Sequence, residues 1–267
     1  MSSQLQTMLR LVRRLGPWSS GQVPIGDLKR EEVRIRGPES DIRIWRLRAE
    51  KVEPKSHLFV LHGLHFLGPE DPRMLRFLEA LAASGIEVFA PFIPSLLRLE
   101  LHPKALDESA AAFEWASSEV KGQPLSVFTI SFSSVLGLNL MSKPRYRELG
   151  GSLMLFGGYY DWRDALRYSL SDASEVTRLP KADPLNRPAI YLNLLEEMKL
   201  SEAQKNTLGE AWRTFVKETW GRPELKHIER FGPIAERLEN GLEPALKGIF
   251  REGCGLEPAT HDVLEEA

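Results

Sequence analysis

Composition and charge indicate a globular protein and exclude several classes of function. The 267 residues suffice for one sizeable core plus an accessory subdomain, and the 35 basic residues nearly balance the 37 acidic ones, so no net field favours nucleic acid or an anionic membrane. The single cysteine, Cys254, rules out an intramolecular disulfide, and no apolar stretch approaches the roughly 20 residues that span a bilayer. We therefore expect a cytoplasmic protein without metal or cofactor, without a nucleic-acid partner and without stable membrane insertion.

The N-terminal segment, residues 1–30, predicts an amphipathic helix followed by a linker. Its apolar residues share one helical face, and three arginines surround them. These apolar residues are Leu5, Met8, Leu9, Val12 and Leu15. Arg10 interrupts the apolar run that a signal peptide would need. We favour a helix that docks on its own domain or on an outside partner, and a helix lying on a membrane surface is the alternative.

Residues 31–170 alternate between strand and helix signals. They open with a hairpin that has an arginine-lined solvent face, and short apolar strands then alternate with amphipathic helices. The predicted strands are 33–36, 42–49, 58–61, 86–90, 125–130 and 152–156, and the predicted helices are 71–84, one from Pro103 onward, and 134–141. Such alternation favours an α/β core with a mostly parallel sheet flanked by helices.

Residues 171–267 have a different character, because they contain helical periods punctuated by glycine and proline and no convincing strand. Ser201 and Gln204 stand at capping-box spacing before one of these helices. This region predicts an all-helical, cap-like C-terminal subdomain.

The segment "Thr129-Ile130-Ser131-Phe132-Ser133" joins an apolar strand to a helix. A serine on such a sharp turn, with small residues two before and two after it, is the pattern of a nucleophile on a doubly wound sheet. Thr129 and Ser133 stand where that pattern has glycines, and the β-branched Thr129 is the poorer fit.

A second segment, "FVLHGLHFLG", places His62 and Gly63 directly after a buried strand. Gly63 lets the chain turn so that the amide of Leu64 points toward the serine, and the amide of Phe132 is the second donor that could receive an oxyanion.

In these features the chain resembles the α/β-hydrolase superfamily over about residues 31–165. The resemblance implies Ser131 as the nucleophile and Leu64 and Phe132 as oxyanion donors. It also implies that the C-terminal helices form a cap over an apolar pocket. Asp161, in "GGYYDWRD", stands at a variant position for the family's acid, and Asp164 is a weaker candidate.

The family also implies a histidine that follows the acid in the chain, and no position fits it well. His261, His227 and His65 are the candidates, the last of them out of family order. Three interpretations remain open: a truncated copy of a longer hydrolase, a degenerate member without catalysis, or an unusual site completed by the helical tail or a second subunit. The nearby aromatic residues Tyr159, Tyr160 and Trp162 are interpreted as packing residues.

Two functions follow from these alternatives. The first is an esterase-type serine hydrolase that cleaves an ester or related acyl bond of a small apolar ligand through an acyl-Ser131 intermediate. The second is a non-catalytic ligand-binding or interaction protein on the same core. A sheet that ends at strand 152–156 has an open edge, so we expect that edge to be covered by the C-terminal helices or paired with another chain, as in a homo-oligomer.

Overall fold

A computed structural model describes residues 3–15, 26–159, 161–170 and 182–259. The chain divides into two compact units, Met1–Tyr159 and Tyr160–Ala267. This division lies earlier than the predicted boundary after residue 170, because Leu166 and Leu170 pack in the core of the second unit.

The described strands form one six-stranded sheet in the first unit, in the order β1-β2-β4-β3-β5-β6. β1 pairs antiparallel with β2 and β2 antiparallel with β4, whereas β3 pairs parallel with β4 and β5, and β5 pairs parallel with β6. The strands are β1 (Leu28–Arg36), β2 (Asp41–Ala49), β3 (Ser56–Leu61), β4 (Ile86–Pro91), β5 (Leu125–Ile130) and β6 (Gly150–Phe156). The predicted hairpin and the mostly parallel sheet are confirmed.

Helices flank this sheet, and two short ones were not predicted from the sequence. The helices are α1 (Ser3–Leu15), α2 (Pro72–Ala83), α3 (Pro94–Leu97), α4 (Lys104–Glu119), α5 (Ser133–Ser142) and α6 (Pro144–Leu149). α3 and α6 were missed because each is shorter than two turns and begins at a proline, which otherwise indicates a break. Leu11 of α1 packs against the core cluster that contains Leu78 of α2.

Side-chain alternation along the central strands builds a core on each face of the sheet. Phe59 and Leu61 of β3 belong to one cluster with Phe113 of α4, whereas Leu58 and Val60 belong to a second cluster with α2. Because both faces are buried, the central strands are continuous apolar runs, as is typical of parallel sheets.

The second unit is helical throughout the part of it that the structure describes, as the sequence predicts. Its helices are α7 (Trp162–Leu170), α8 (Arg187–Leu194), α9 (Glu202–Thr219), α10 (Ile228–Glu239) and α11 (Pro244–Gly253). The capping box at Ser201 and Gln204 is confirmed, and Trp212 is fully buried at the centre of the unit's core. No helix among the described residues of either unit is long and apolar enough to cross a bilayer.

The two edges of the sheet differ in chemistry. β1 carries six charged residues among its nine, in the sequence LKREEVRIR. β6 carries none, and its residues Met154, Leu155 and Phe156 are exposed. The expectation that something covers or pairs with β6 stays a prediction.

Candidate functional site

Ser131 lies between the end of β5 and the start of α5, at a sharp turn. Its φ of +57° is in the left-handed region, which only two other described non-glycine residues adopt. The Ser131 N–H donates a hydrogen bond to Phe156 O on β6 at 2.8 Å. The turn therefore stores backbone strain and is held from the neighbouring strand, which is the local geometry of a nucleophile-type turn.

Ser133 explains why a serine can replace a glycine after the turn. Its Oγ accepts a hydrogen bond from Ile130 N at 2.9 Å and lies 3.0 Å from Leu61 O and 2.9 Å from Ile130 O, either of which can accept its proton. The side chain thus joins the ends of β3 and β5 beneath Ser131, and it is fully buried. The hydroxyl supports the turn instead of crowding it.

Thr129, the other departure from the glycine pattern, is accommodated by a glycine on the facing helix. A Cβ at Gly137 of α5 would overlap Thr129 Cγ2, so the absence of a side chain there makes room for the β-branched residue. Thr129 is fully buried, and its hydroxyl donates to Ser134 Oγ at 3.2 Å. The close approach of strand and helix is preserved, with the small residue on the helix.

The loop after β3 lies against this turn, as the sequence predicted. A Cβ built at Gly63 would be 3.6 Å from Ser131 Cβ and 3.3 Å from Ile130 O. Gly63 therefore allows the close approach that places the next residue, Leu64, beside the serine.

His62 fixes the orientation of this loop. Its Nδ1 donates to Gly63 O at 2.7 Å, and its Nε2 accepts from Ile93 N at 3.2 Å, so the ring is neutral. Complete burial lowers the pKa of His62 to about 4. Because the peptide is trans and Gly63 O faces His62, the Leu64 N–H points away from His62, and it donates to no residue that the structure describes. Leu64 is thus available as an oxyanion donor, and the Phe132 amide lies at the N-terminus of α5.

Tyr159 is the residue that sequence reasoning missed. Its Oη lies 3.1 Å from Ser131 Oγ, and within the described part of the chain it is the only side chain that hydrogen-bonds this oxygen. A Cβ at Gly158 would be 2.5 Å from Ser134 Oγ, so only a glycine lets the chain after β6 pass this close to α5. The "GGYY" pair of glycines was the available signal, and the tyrosines had been interpreted as packing residues.

His65, one of the predicted candidates for the missing histidine, is already occupied. Its Nδ1 accepts from Leu67 N at 3.2 Å, and its Nε2 faces Asp71 Oδ2 at 3.3 Å. Its ring also stacks on Phe66. Neither ring nitrogen of His65 is directed at Ser131 in this arrangement.

The other described histidines of the first unit are also engaged elsewhere. His57 lies at the opposite end of β3 from the loop, between Glu87 at 2.9 Å and Gln123 at 3.1 Å, and His102 accepts from Lys104 N. Of the remaining candidates, His227 precedes α10 in the second unit, and His261 lies outside the described residues.

Asp161, the predicted acid, is the first described residue of the second unit. Its carboxylate accepts hydrogen bonds from Arg163 N at 2.8 Å and Asp164 N at 3.4 Å, and so caps α7. Asp164 forms a loose ion pair with Arg167 on the same helix. A role of Asp161 in catalysis stays a prediction.

A cation site is not evident from the described side chains, which contain no group of three or more histidine, cysteine, aspartate or glutamate residues able to hold a metal ion.

Comparison with known proteins yields structural likenesses at low identity. No protein-family model and no curated protein matches the chain. Similar solved structures include a brefeldin A esterase, described as a bacterial homologue of human hormone-sensitive lipase, with 17% identity, a TM-score of 0.47 and coverage of 69% of this chain and 56% of that one. A bacterial heroin esterase has 14% identity, a TM-score of 0.44 and coverage of 53% and 48%. A protein from Agrobacterium tumefaciens, provisionally described as an alpha/beta hydrolase, has 18% identity, a TM-score of 0.40 and coverage of 49% and 63%.

The chain thus spans about half to three-fifths of the length of these structures. At this level of similarity, their names and activities do not transfer to it.

Proposed function

We propose that this chain is an α/β-hydrolase-like protein and an esterase-type serine hydrolase with Ser131 as its nucleophile. The observation that carries the proposal is the left-handed φ of +57° at Ser131, on a strand-to-helix turn with the Gly63 loop packed against it. A strained conformation at a surface serine costs free energy, about 1–3 kcal/mol, which an ordinary strand–helix junction does not need.

In the proposed reaction, Ser131 Oγ attacks the carbonyl carbon of an ester and forms a tetrahedral intermediate. The Leu64 and Phe132 amides donate to the carbonyl oxygen as it becomes negative, and the N-terminus of α5 favours that charge. Collapse of the intermediate releases the alcohol and leaves an acyl-Ser131, which water hydrolyses. We propose a small apolar or ester-containing ligand as the substrate class and the cytoplasm as the location, which suits the single, fully buried Cys254.

A second candidate is a non-catalytic binding protein that keeps the polar pocket without acyl transfer. The observation in its favour is that none of the described histidines of the first unit has a ring nitrogen directed at Ser131, whose oxygen contacts Tyr159 instead.

A fluorophosphonate probe separates the two, because it labels only an activated serine. We expect the intact chain to be labelled and Ser131→Ala to lose labelling completely. Ser142→Ala is the matched control, since Ser142 ends the same helix and its hydroxyl only bonds Asn139 O. A folded chain that resists the probe would contradict the hydrolase and leave the binding protein.

A further inference from the structure

The inference starts from the proton of Ser131, which rests on the proposed function. A serine hydroxyl is a weak nucleophile until a partner accepts its proton, and that partner must lie within about 2.6–3.2 Å of the oxygen. Tyr159 Oη, at 3.1 Å, satisfies this distance.

Tyr159 is also placed there by structure that has no other evident purpose. Gly157, with φ of +64°, reverses the chain after β6, and Gly158 passes so close to Ser134 that no side chain fits. A tyrosine that served only to pack would be buried, whereas this ring is 38% exposed with its hydroxyl directed at Ser131. The turn costs two glycines and delivers a phenol oxygen to the serine.

The surroundings of the pair in the first unit contain few ionisable groups. Neither β6 nor α5 carries an ionisable side chain. The loop after β3 contributes His62, whose two nitrogens bond Gly63 O and Ile93 N, and His65, whose nitrogens face Leu67 N and Asp71. In these elements the phenol is therefore the group in position to exchange a proton with Ser131.

We infer that Tyr159 is a catalytic residue which takes the Ser131 proton directly, in the place where a hydrolase of this type ordinarily has a histidine. The Tyr159 phenolate accepts the proton from Ser131 Oγ as the oxygen forms its bond to the carbonyl carbon. When the tetrahedral intermediate collapses and its C–O bond breaks, the phenol returns the proton to the departing alkoxide. The alcohol leaves neutral, and the phenolate is restored for the attack of water.

The test measures the rate of fluorophosphonate labelling, and of hydrolysis of a short-chain p-nitrophenyl ester, in the intact chain and in Tyr159→Phe. We expect Tyr159→Phe to lower both rates by about 100-fold or more, since acid–base groups contribute about 10²–10⁴-fold. Tyr146→Phe is the matched control, because it removes a phenol oxygen that bonds Glu114 within the same unit, and it should retain the full rate.

The pH profile of the intact chain is a second, independent measurement. Phenols ordinarily titrate near about 10 and imidazoles near about 6.5, so a tyrosine base predicts rates that still rise about tenfold per pH unit between pH 7 and 9. Rates that level off above pH 7, or a Tyr159→Phe protein as fast as the intact chain, would overturn the role of Tyr159 while leaving Ser131 as nucleophile. An intact chain that is labelled at no pH would overturn the hydrolase itself and this role with it.

Discussion

His62 shows how a single residue can fix a site without entering its chemistry. Its ring is buried behind the Gly63 loop, bonds that loop on one side and Ile93 N on the other, and has a pKa lowered to about 4 by burial. The unfolded chain takes up a proton near the ordinary imidazole pKa of about 6.5, whereas the folded chain resists it. Stability should therefore fall as the pH drops below 6.5.

The prediction at this position is a loss of about 2 kcal/mol in the free energy of unfolding between pH 7.5 and pH 5. His62→Asn should be less stable at pH 7.5, because Ile93 N–H loses its acceptor, but it should lose less on acidification. Urea unfolding at both pH values checks this. The pKa of His57 is raised by its bond to Glu87, so its contribution is complete below its unfolded pKa and is lost as the pH rises; it is common to both proteins and cancels. Equal acid losses in the two proteins would show that His62 is not the titrating group.

At the scale of elements, the fit between β5 and α5 depends on one glycine. Alanine in a helix interior is ordinarily better than glycine by about 1 kcal/mol. At Gly137 the added Cβ would overlap Thr129 Cγ2, and overpacking of this kind costs about 1–3 kcal/mol. We expect the steric cost to exceed the gain in helix propensity.

Gly137→Ala should therefore be destabilising by about 1–2 kcal/mol, measured by urea unfolding. Adding Thr129→Ser removes Cγ2 and should recover most of that loss, because the overlap is with this methyl group. Gly248→Ala in α11 is the matched control, since a Cβ there meets no atom within 4 Å, and it should be neutral or stabilising. If the double variant were as unstable as Gly137→Ala alone, the proposed contact would not be the cause.

At the scale of the whole molecule, the contrast between the two sheet edges bears on assembly. β1 has the charges with which proteins protect an edge from pairing, and β6 has none. We expect β6 to pair with another strand, most simply β6 of a second copy, so that the intact chain dimerises in a concentration-dependent way in size-exclusion chromatography with light scattering.

Leu155→Lys should shift this equilibrium to the monomer, because a lysine on a paired edge loses its solvation. Leu149→Lys, on α6 and with a similar exposure of 43% against 45%, should leave it unchanged. A chain that stays monomeric at all concentrations, or a dimer that both variants disrupt equally, would contradict pairing through β6.

The sequence allowed most of the first unit to be predicted, because its strands are buried on both faces and its helices on one. Strand β5 was predicted with the bounds that the structure has, and α2 was predicted from a proline near its start and Gly85 after its end. The site was predictable as far as it depends on chain order, which gave the Ser131 turn and the loop at Gly63.

What the sequence did not reveal depends on contacts between residues far apart in the chain. Thr129 looks unsuitable until Gly137 is placed opposite it, and Tyr159 looks like a packing residue until two glycines direct it to Ser131. The engagement of both nitrogens of His65 likewise depends on the position of Asp71, which only the fold supplies.

The hydrogen bond from Ser131 N to Phe156 O has a consequence for dynamics. Edge strands are among the first parts of a sheet to open locally, and a strained turn relaxes when the contact that holds it is released. Each opening of the C-terminal end of β6 should then free Ser131 to leave its left-handed conformation. The exchange rate of the Ser131 amide hydrogen with solvent would thus report the fraction of time for which the turn is assembled, and any strand that docks on β6 should slow that exchange from the far side of the sheet edge.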